Sequence, residues 1–451
     1  MANAITITYG STTLNLLDVT NYGVMEYVPL PGEGEGDGEI IETAKILVRG
    51  TDMATLQANL QALQTAMWYA ARYNENRQGD AVYVNVQPNG AAASYRSQLL
   101  AGSVVTDDET LGVDVANLEL EATVTWRRVG YWEGAETELG LSQAGATTYA
   151  SGGKDVYKKD SATAGQYNHV EILGSDVGGN LPGAVKIQIV EGITQLATLV
   201  TGFTNVFIGH GVYADFSALV TQLGTAGALT WTETTEKTAL TSATLTSANL
   251  DAAKGGWFRL LLNLTAAPSL TDLYLRARLV VKSGASTTVI WNGPLVFNNG
   301  KFIQDLGIVR IPPFLIGQTT LYPLTLELNA LSATSGSKSL DFSHIEMRPV
   351  DGWRALEIFS GYYVNPGADA ANPEVVLNEY DNLVYVNHDV SGGSETEGKF
   401  GTVTAVGKPI LLVPGKTQRL YFSWLSDANY NMGYYPYATV QVWYRPRKLS
   451  L

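Results

Sequence analysis

Thr51 to Asn74 reads TDMATLQANLQALQTAMWYAARYN, the one long helical stretch in a chain otherwise composed for strands. Met53, Leu56, Leu60, Leu63 and Met67 recur at spacings of three and four and so share one stripe, with Gln57, Gln61 and Gln64 off it. Thr51 or Asp52 can accept from a free N–H of the first turn, and Ala and Leu supply a good helix interior. One amphipathic helix cannot bury its stripe alone. The sequence therefore predicts a sheet, built from strands on both sides of the helix, as the surface it covers.

Working outward, Ile5 to Tyr9 alternates like a half-buried strand and Leu14 to Leu17 continues it after a Gly10-Ser11 turn. Val24 to Leu30 leads into GEGEGDGE at Gly32 to Glu39, where glycine alternating with acid predicts a solvated loop between two hairpin strands. Ile40 to Arg49 resumes a strand and delivers the chain to the helix. Beyond it, Ala81 to Gln87, Tyr95 to Val105 and Val113 to Trp126 read as further strands, with Leu118, Leu120, Ala122 and Val124 on one face.

Periodicity loosens from Arg127 to Leu181 and returns after Pro182. Strands are expected at Ala184 to Val190, Leu196 to Ile208, Trp257 to Leu264, Leu273 to Val281, Ser286 to Asn292, Thr320 to Asn329 and Ser339 to Met347, with a short helix at Asp215 to Leu223. Strands at this spacing between Gly, Pro and Ser turns indicate a jelly-roll type sandwich. Leu383 to Asn387, Ile410 to Val413, Arg419 to Trp424 and Tyr437 to Tyr444 follow, and periodicity leaves open whether they form a separate domain.

A chain of 451 residues with 46 Gly, 16 Pro and 24 Tyr suits two or three mainly β domains. The absence of cysteine excludes disulfides and thiolate metal sites. No secretory signal and no run of about 20 apolar residues is evident, so a soluble protein without a membrane span is expected. Net charge is −14, and residues 1–132 hold 7 Lys and Arg against 16 Asp and Glu, or −9. Such a surface repels nucleic acid.

Chemistry-bearing motifs are absent. His169, His210, His344 and His388 have no metal-ligand spacing, and no nucleophile elbow, phosphate loop or dinucleotide fingerprint occurs. Asp107, Asp108, Glu109 and Asp114 cluster, but read as an acidic hairpin turn rather than a glycosidase carboxylate pair or a calcium loop. The chain is thus expected not to be an enzyme and to use no cofactor. Aromatic rings are the remaining tools. Trp257 reads as core because its strand is apolar throughout. Trp231 and Trp291, at strand ends or alternating with polar residues, are the candidates for stacking on a sugar, with buried packing as the competing reading for each.

The N-terminal strand order, the acidic glycine loop, the helix TLQANLQALQTAM and the strand LELEATVTW resemble the ring-forming domain of tail proteins from long-tailed bacteriophages, most of all the distal tail proteins. FIQDLGIVRIPP at Phe302 to Pro313 and SLDFSHIEMRPVDGW at Ser339 to Trp353 resemble the carbohydrate-binding-like jelly-roll modules of such chains, and YATVQVWYRPRKLSL resembles their final strand. The resemblance implies a virion tail subunit, with residues 1–132 as a ring-forming α+β sandwich with one covering helix. Residues 133–182 would be a linker with the strand leading into the next module, 183–350 a jelly-roll module and 351–451 a C-terminal β region. It further implies partners: other copies in a ring, commonly a hexamer, tail-tube and tail-tip proteins, and a host-surface glycan at Trp231 and Trp291. Glu33, Glu35, Asp37 and Glu39 would face the lumen or a neighbouring subunit, past which DNA moves without specific binding. A decorated tail-tube subunit, and a glycan-active enzyme or lectin, are the alternatives.

Overall fold

The computed structural model describes residues 4–31, 38–106, 118–143, 148–157, 169–191, 205–209, 228–241, 257–264, 272–297, 303–311, 324–336, 338–350, 353–358, 374–390, 394–396, 403–425 and 437–451. The protein is mainly β, with several sheets, one long helix and three hydrophobic cores among these residues.

The helix spans Met53–Asn76. Asp52 caps it, accepting from Thr55 N–H at 2.7 Å, which satisfies one of the free donors of the first turn. Leu56, Leu63, Ala66, Met67 and Ala70 are buried against the sheet. Met53, placed on the stripe by its spacing, is instead exposed. The sheet runs Thr12–Asn15, Ala4–Tyr9, Tyr83–Gln87, Tyr95–Thr106, Glu119–Val129, Glu39–Arg49, Tyr22–Glu26, every neighbour antiparallel. Ile7, Ile46, Val84, Val124 and Trp126 form its inner face. Helix and sheet approach closely at Gly102, where a Cβ would overlap Met67 Sδ. This is the expected helix-covered sheet.

The other strands divide differently from the sequence-based boundaries. One sheet is ordered Leu141–Ser142, His169–Ile172, Gln418–Leu425, Asn205–Gly209, Trp353–Ile358, Val403–Gly407. Its companion is ordered Lys154–Tyr157, Tyr437–Tyr444, Gly183–Glu191, Glu374–Asn378, Leu383–Val390, Ser394–Thr396. Ile172, Ile187, Val206, Leu377, Phe422 and Val442 share one core between the two. Residues 137–209 and 353–444 are therefore one sandwich. The boundaries expected at 183 and 351 fall within its sheets, and the described part of 133–182 holds several short strands besides the expected entry strand, which is His169–Ile172. Those strands are two to four residues long, too short to show a period.

Residues 228–349 are inserted into that sandwich and form a second one. Its sheets are Ala228–Trp231, Lys338–Pro349, Trp257–Leu264, Ile303–Arg310 and Lys237–Thr241, Leu324–Ser332, Leu273–Ser283, Ser286–Asn292, with Val296–Phe297 beside Leu273–Ser283. Leu260, Leu262, Leu275, Leu279, Leu326 and Leu328 lie in its core.

The chain's last strand ties the outer sandwich back to the first sheet. Arg447–Lys448 pairs with Trp132–Glu133, which in turn pairs with Tyr95–Thr106. Glu133 Oε1 accepts from Arg447 Nε and Nη2 at 3.1 Å each, and Lys448 Nζ donates to the Tyr95 hydroxyl at 2.7 Å.

Candidate functional site

Two surfaces of the first body and the aromatic residues of the inserted sandwich are the candidates. The acidic loop comes first. Glu33, Glu35 and Asp37 lie outside the described residues, as do the cluster Asp107 to Asp114, the stretch Asp215 to Leu223 and His210. Glu39 is not a loop residue. It opens the strand Glu39–Arg49 opposite Val129 and pairs with Arg127 at 3.1 Å, because the ladder with Glu119–Val129 extends to it.

The segment before the loop is held by a buried clamp. Glu42 and Arg128, on adjacent strands, have side chains 1% and 0% exposed and lie 2.7 Å apart. Glu42 Oε1 also accepts from Leu30 N–H at 2.8 Å, while Oε2 accepts from the Tyr27 hydroxyl at 2.9 Å and from Trp126 Nε1 at 3.0 Å. Arg128 Nη2 donates to Leu30 O at 2.6 Å and Nη1 to Val129 O at 2.9 Å, with the guanidinium 4.3 Å from the Trp132 ring centre. Burial, with the Glu42 carboxylate beside it, pushes the Tyr27 phenol far above its ordinary range, so it remains a donor. Leu30 is thus gripped through both its N–H and its carbonyl two residues before the glycine-acid tract begins. Glu42 was readable only as one of several strand acids, since nothing local marks it as buried.

The helix's outer face is the second surface. Gln57, Ala58, Gln61, Gln64, Thr65 and Trp68 are exposed, with Trp68 at 55%, and after Asp52 the first formal charge is Arg72, whose guanidinium lies 5.3 Å from the Trp68 ring centre. A solvated helix ordinarily carries charge on its outer face, whereas the cores of protein interfaces are depleted of charge and enriched in aromatic residues. At the far edge of the sheet, Val19, Met25 and Val28 are exposed around the strand Tyr22–Glu26.

In the inserted sandwich the expected stacking residues are not both on the surface. Trp231 is 9% exposed, belongs to the core and donates from Nε1 to Glu233 O at 3.0 Å. Being at a strand end did not expose it, because the facing sheet covers that end. Trp291 is half-buried and packs against the same core, in register with the core residue Leu279. Trp257, read as core, is 48% exposed, with Arg310 5.8 Å from its ring centre. Trp257 shares its face with Arg259 and Asn263 and lies out of step with the buried Phe258, Leu260 and Leu262, so the alternation within the apolar run points it outward. Replacing Trp231 by phenylalanine should cost about 1 kcal/mol, the worth of one hydrogen bond. Replacing Trp257 by alanine should cost about 1–2 kcal/mol, less than truncating a fully buried tryptophan, because about half of the ring is already in water. Urea titration checks both, and a loss at Trp257 of the about 3–5 kcal/mol typical of a fully buried tryptophan would contradict its placement.

His169 is buried with its ring centre 5.0 Å from that of Tyr421. His344 and His388 have backbones within strands. Among the described residues no group of three or more His, Asp or Glu is placed to hold a metal, and no helix is long and apolar enough to cross a membrane.

No family model matches the chain, and no curated protein matches it. Among solved structures, the chain is similar to the phage P2 baseplate in its activated conformation with Ca, at TM-score 0.30 and 8% identity over 100% of both chains. It is also similar to infectious bursal disease virus Gt strain, at TM-score 0.16 and 10% identity over 98% of this chain and 80% of that one. The first is a weak association with a phage tail structure, and neither likeness carries an argument.

Proposed function

We propose that this chain is a structural subunit of a bacteriophage tail tip, a distal-tail or baseplate ring protein that joins the tail tube to the host-recognition apparatus. In this reading it does not catalyse a reaction, and its inserted sandwich carries a host-glycan contact. The observation that carries the proposal is the charge-free helix face. In a chain of net charge −14, a face without charge lets two copies meet with little repulsion, and Gln57 to Trp68 offer such a strip. The strip lies on the helix, whereas the exposed residues Met25 and Val28 lie at one edge of the sheet. Packing one against the other is a heterologous contact, the kind that closes into rings. The sequence resemblance to distal tail proteins supports the same reading. The tract Glu33, Glu35, Asp37 then sits at a lumen or subunit junction, beside a rigidly held Leu30, and presents DNA with a surface to which it does not stick.

The test is assembly. Light scattering of the purified chain should show a ring-sized oligomer. The double change Gln61→Glu and Trp68→Glu should yield monomer with an unchanged circular dichroism spectrum, since both residues are exposed. A monomeric wild type, or an oligomer indifferent to both charges, would sink the reading. A decorated tail-tube subunit uses the same contacts and is separated by the number of copies per virion. A lectin or glycan-active enzyme would be monomeric at this helix.

A further inference from the structure

We propose that the outward face of the inserted sandwich's smaller sheet binds a neutral oligosaccharide, with Trp257 as the stacking ring and the Arg259–Asp305 pair as the hydrogen-bonding group beside it. This deepens the glycan part of the reading above, on which it rests, and is independent of ring formation.

The strand Trp257–Leu264 sets the face. Phe258, Leu260 and Leu262 are buried in the core, so Trp257 and Arg259 point the other way. On the neighbouring edge strand Ile303–Arg310, Leu306 and Val309 lie in the core, while Ile308 and Arg310 stand opposite Arg259 and Trp257. These outward positions are open to water. Trp257 is 48% exposed even with the Arg310 guanidinium 5.8 Å from its ring centre, Ile308 is 45% exposed, and the Arg259 and Asp305 side chains are 56% and 41% exposed. Val350, also exposed, continues the apolar floor on the far side of Trp257, where its N–H donates to Trp257 O at 2.8 Å.

A break in the strand pairing brings the polar groups to the ring. Asp305 lies opposite Leu261 and Gly307 opposite Leu260, so Leu306 is an extra residue, a β-bulge. Without it, strict alternation from Ile308 would turn Asp305 into the core. The bulge needs glycine, since Gly307 has φ +101° and a Cβ there would lie 2.6 Å from Pro294 Cδ. Asp305 Oδ1 accepts from Gly307 N–H at 3.0 Å, and Oδ2 accepts from Arg259 Nε at 2.9 Å and Nη2 at 2.5 Å. The guanidinium is thereby fixed on a residue roughly 7 Å along the strand from Trp257, with Nη1 still free to donate among the described residues. An ion pair this exposed adds little to stability, so folding does not account for the bulge that aims it.

The groups define the occupant. An exposed ring flanked by aliphatic side chains suits the apolar face of a pyranose. The Arg259–Asp305 pair carries no net charge and presents a donor and an acceptor side by side, which two neighbouring sugar hydroxyls match, one accepting from Nη1 and the other donating to the carboxylate. A phosphate or uronate would meet the Asp305 charge, which selects neutral sugars. One ring and one pair make a small contact, so each module binds weakly and firm attachment needs several copies.

The experiment is an array of neutral and uronic-acid-containing oligosaccharides, probed with the intact protein and followed by calorimetry on the best ligand. Neutral ligands should be preferred, and Trp257→Ala and Arg259→Ala should each weaken binding at least tenfold with an unchanged circular dichroism spectrum. Trp257→Phe, which keeps a ring, should lose less than Trp257→Ala. Phe297→Ala, at an exposed ring of the larger sheet, should bind as wild type. If wild type binds a sugar and both alanine variants of the site match it, the site is wrong while the glycan reading stands. If wild type binds no sugar, both the site and the glycan reading are overturned.

Discussion

Replacing Arg128 by alanine should destabilise the first body by about 3–5 kcal/mol, because it strands the Glu42 carboxylate in a site with almost no access to water. The carboxylate would keep three neutral donors, Leu30 N–H, the Tyr27 hydroxyl and Trp126 Nε1, and lose the charge that offsets its desolvation. That loss corresponds to a fall in melting temperature of roughly 10–15 °C for a body of this size. Replacing both partners with apolar residues, Glu42→Leu with Arg128→Met, should recover only part of the loss, since it removes the stranded charge but leaves the Tyr27 hydroxyl and Trp126 Nε1 without their acceptor. A urea titration followed by tryptophan fluorescence reads all three variants, Trp126 and Trp132 being part of the clamp. A loss below about 1 kcal/mol in Arg128→Ala would mean that solvent reaches the pair.

The clamp also shows why part of the molecule was legible in the sequence and part was not. The helix declares itself because Leu56, Leu63 and Met67 keep its period over several turns, and strands such as Trp257–Leu264 and Tyr437–Tyr444 coincide with their apolar runs. Those signals are local. The partner of a strand is not a local property: Gly183–Glu191 lies between Tyr437–Tyr444 and Glu374–Asn378, both far along the chain, and no period within any of them says so. The face of a strand is equally silent where both sides are buried, as at Asn329 in Leu324–Ser332. Glu42 and Arg128 alternate in step with core residues, but an acid or a base in step with a core reads as an interruption until its opposite is found on the adjoining strand.

The topology also decides which piece of the chain is removable. Gly209 and Trp353 are register partners on adjacent antiparallel strands, so the chain leaves the outer sandwich and returns to it at points roughly 5 Å apart. Deleting residues 210–352 and closing the gap with an Asn-Gly turn, the preferred hairpin connection, should leave both remaining bodies folded and the oligomer intact. It should abolish any glycan binding by the inserted sandwich, which leaves with the deletion. Deleting residues 183–350 should have the opposite outcome. It removes Gly183–Glu191 from the middle of one sheet and Asn205–Gly209 from between Gln418–Leu425 and Trp353–Ile358 in the other, taking Ile187, Ile189, Val206 and Ile208 from the shared core. No register shift can replace two central strands, so the outer sandwich should unfold altogether, detected as loss of its cooperative melting transition and rapid proteolysis beyond residue 137. A folded product from the longer deletion would show that Gly183–Glu191 and Asn205–Gly209 are not integral to the outer sandwich, and an unfolded one from the shorter that the inserted sandwich and its host are a single cooperative unit.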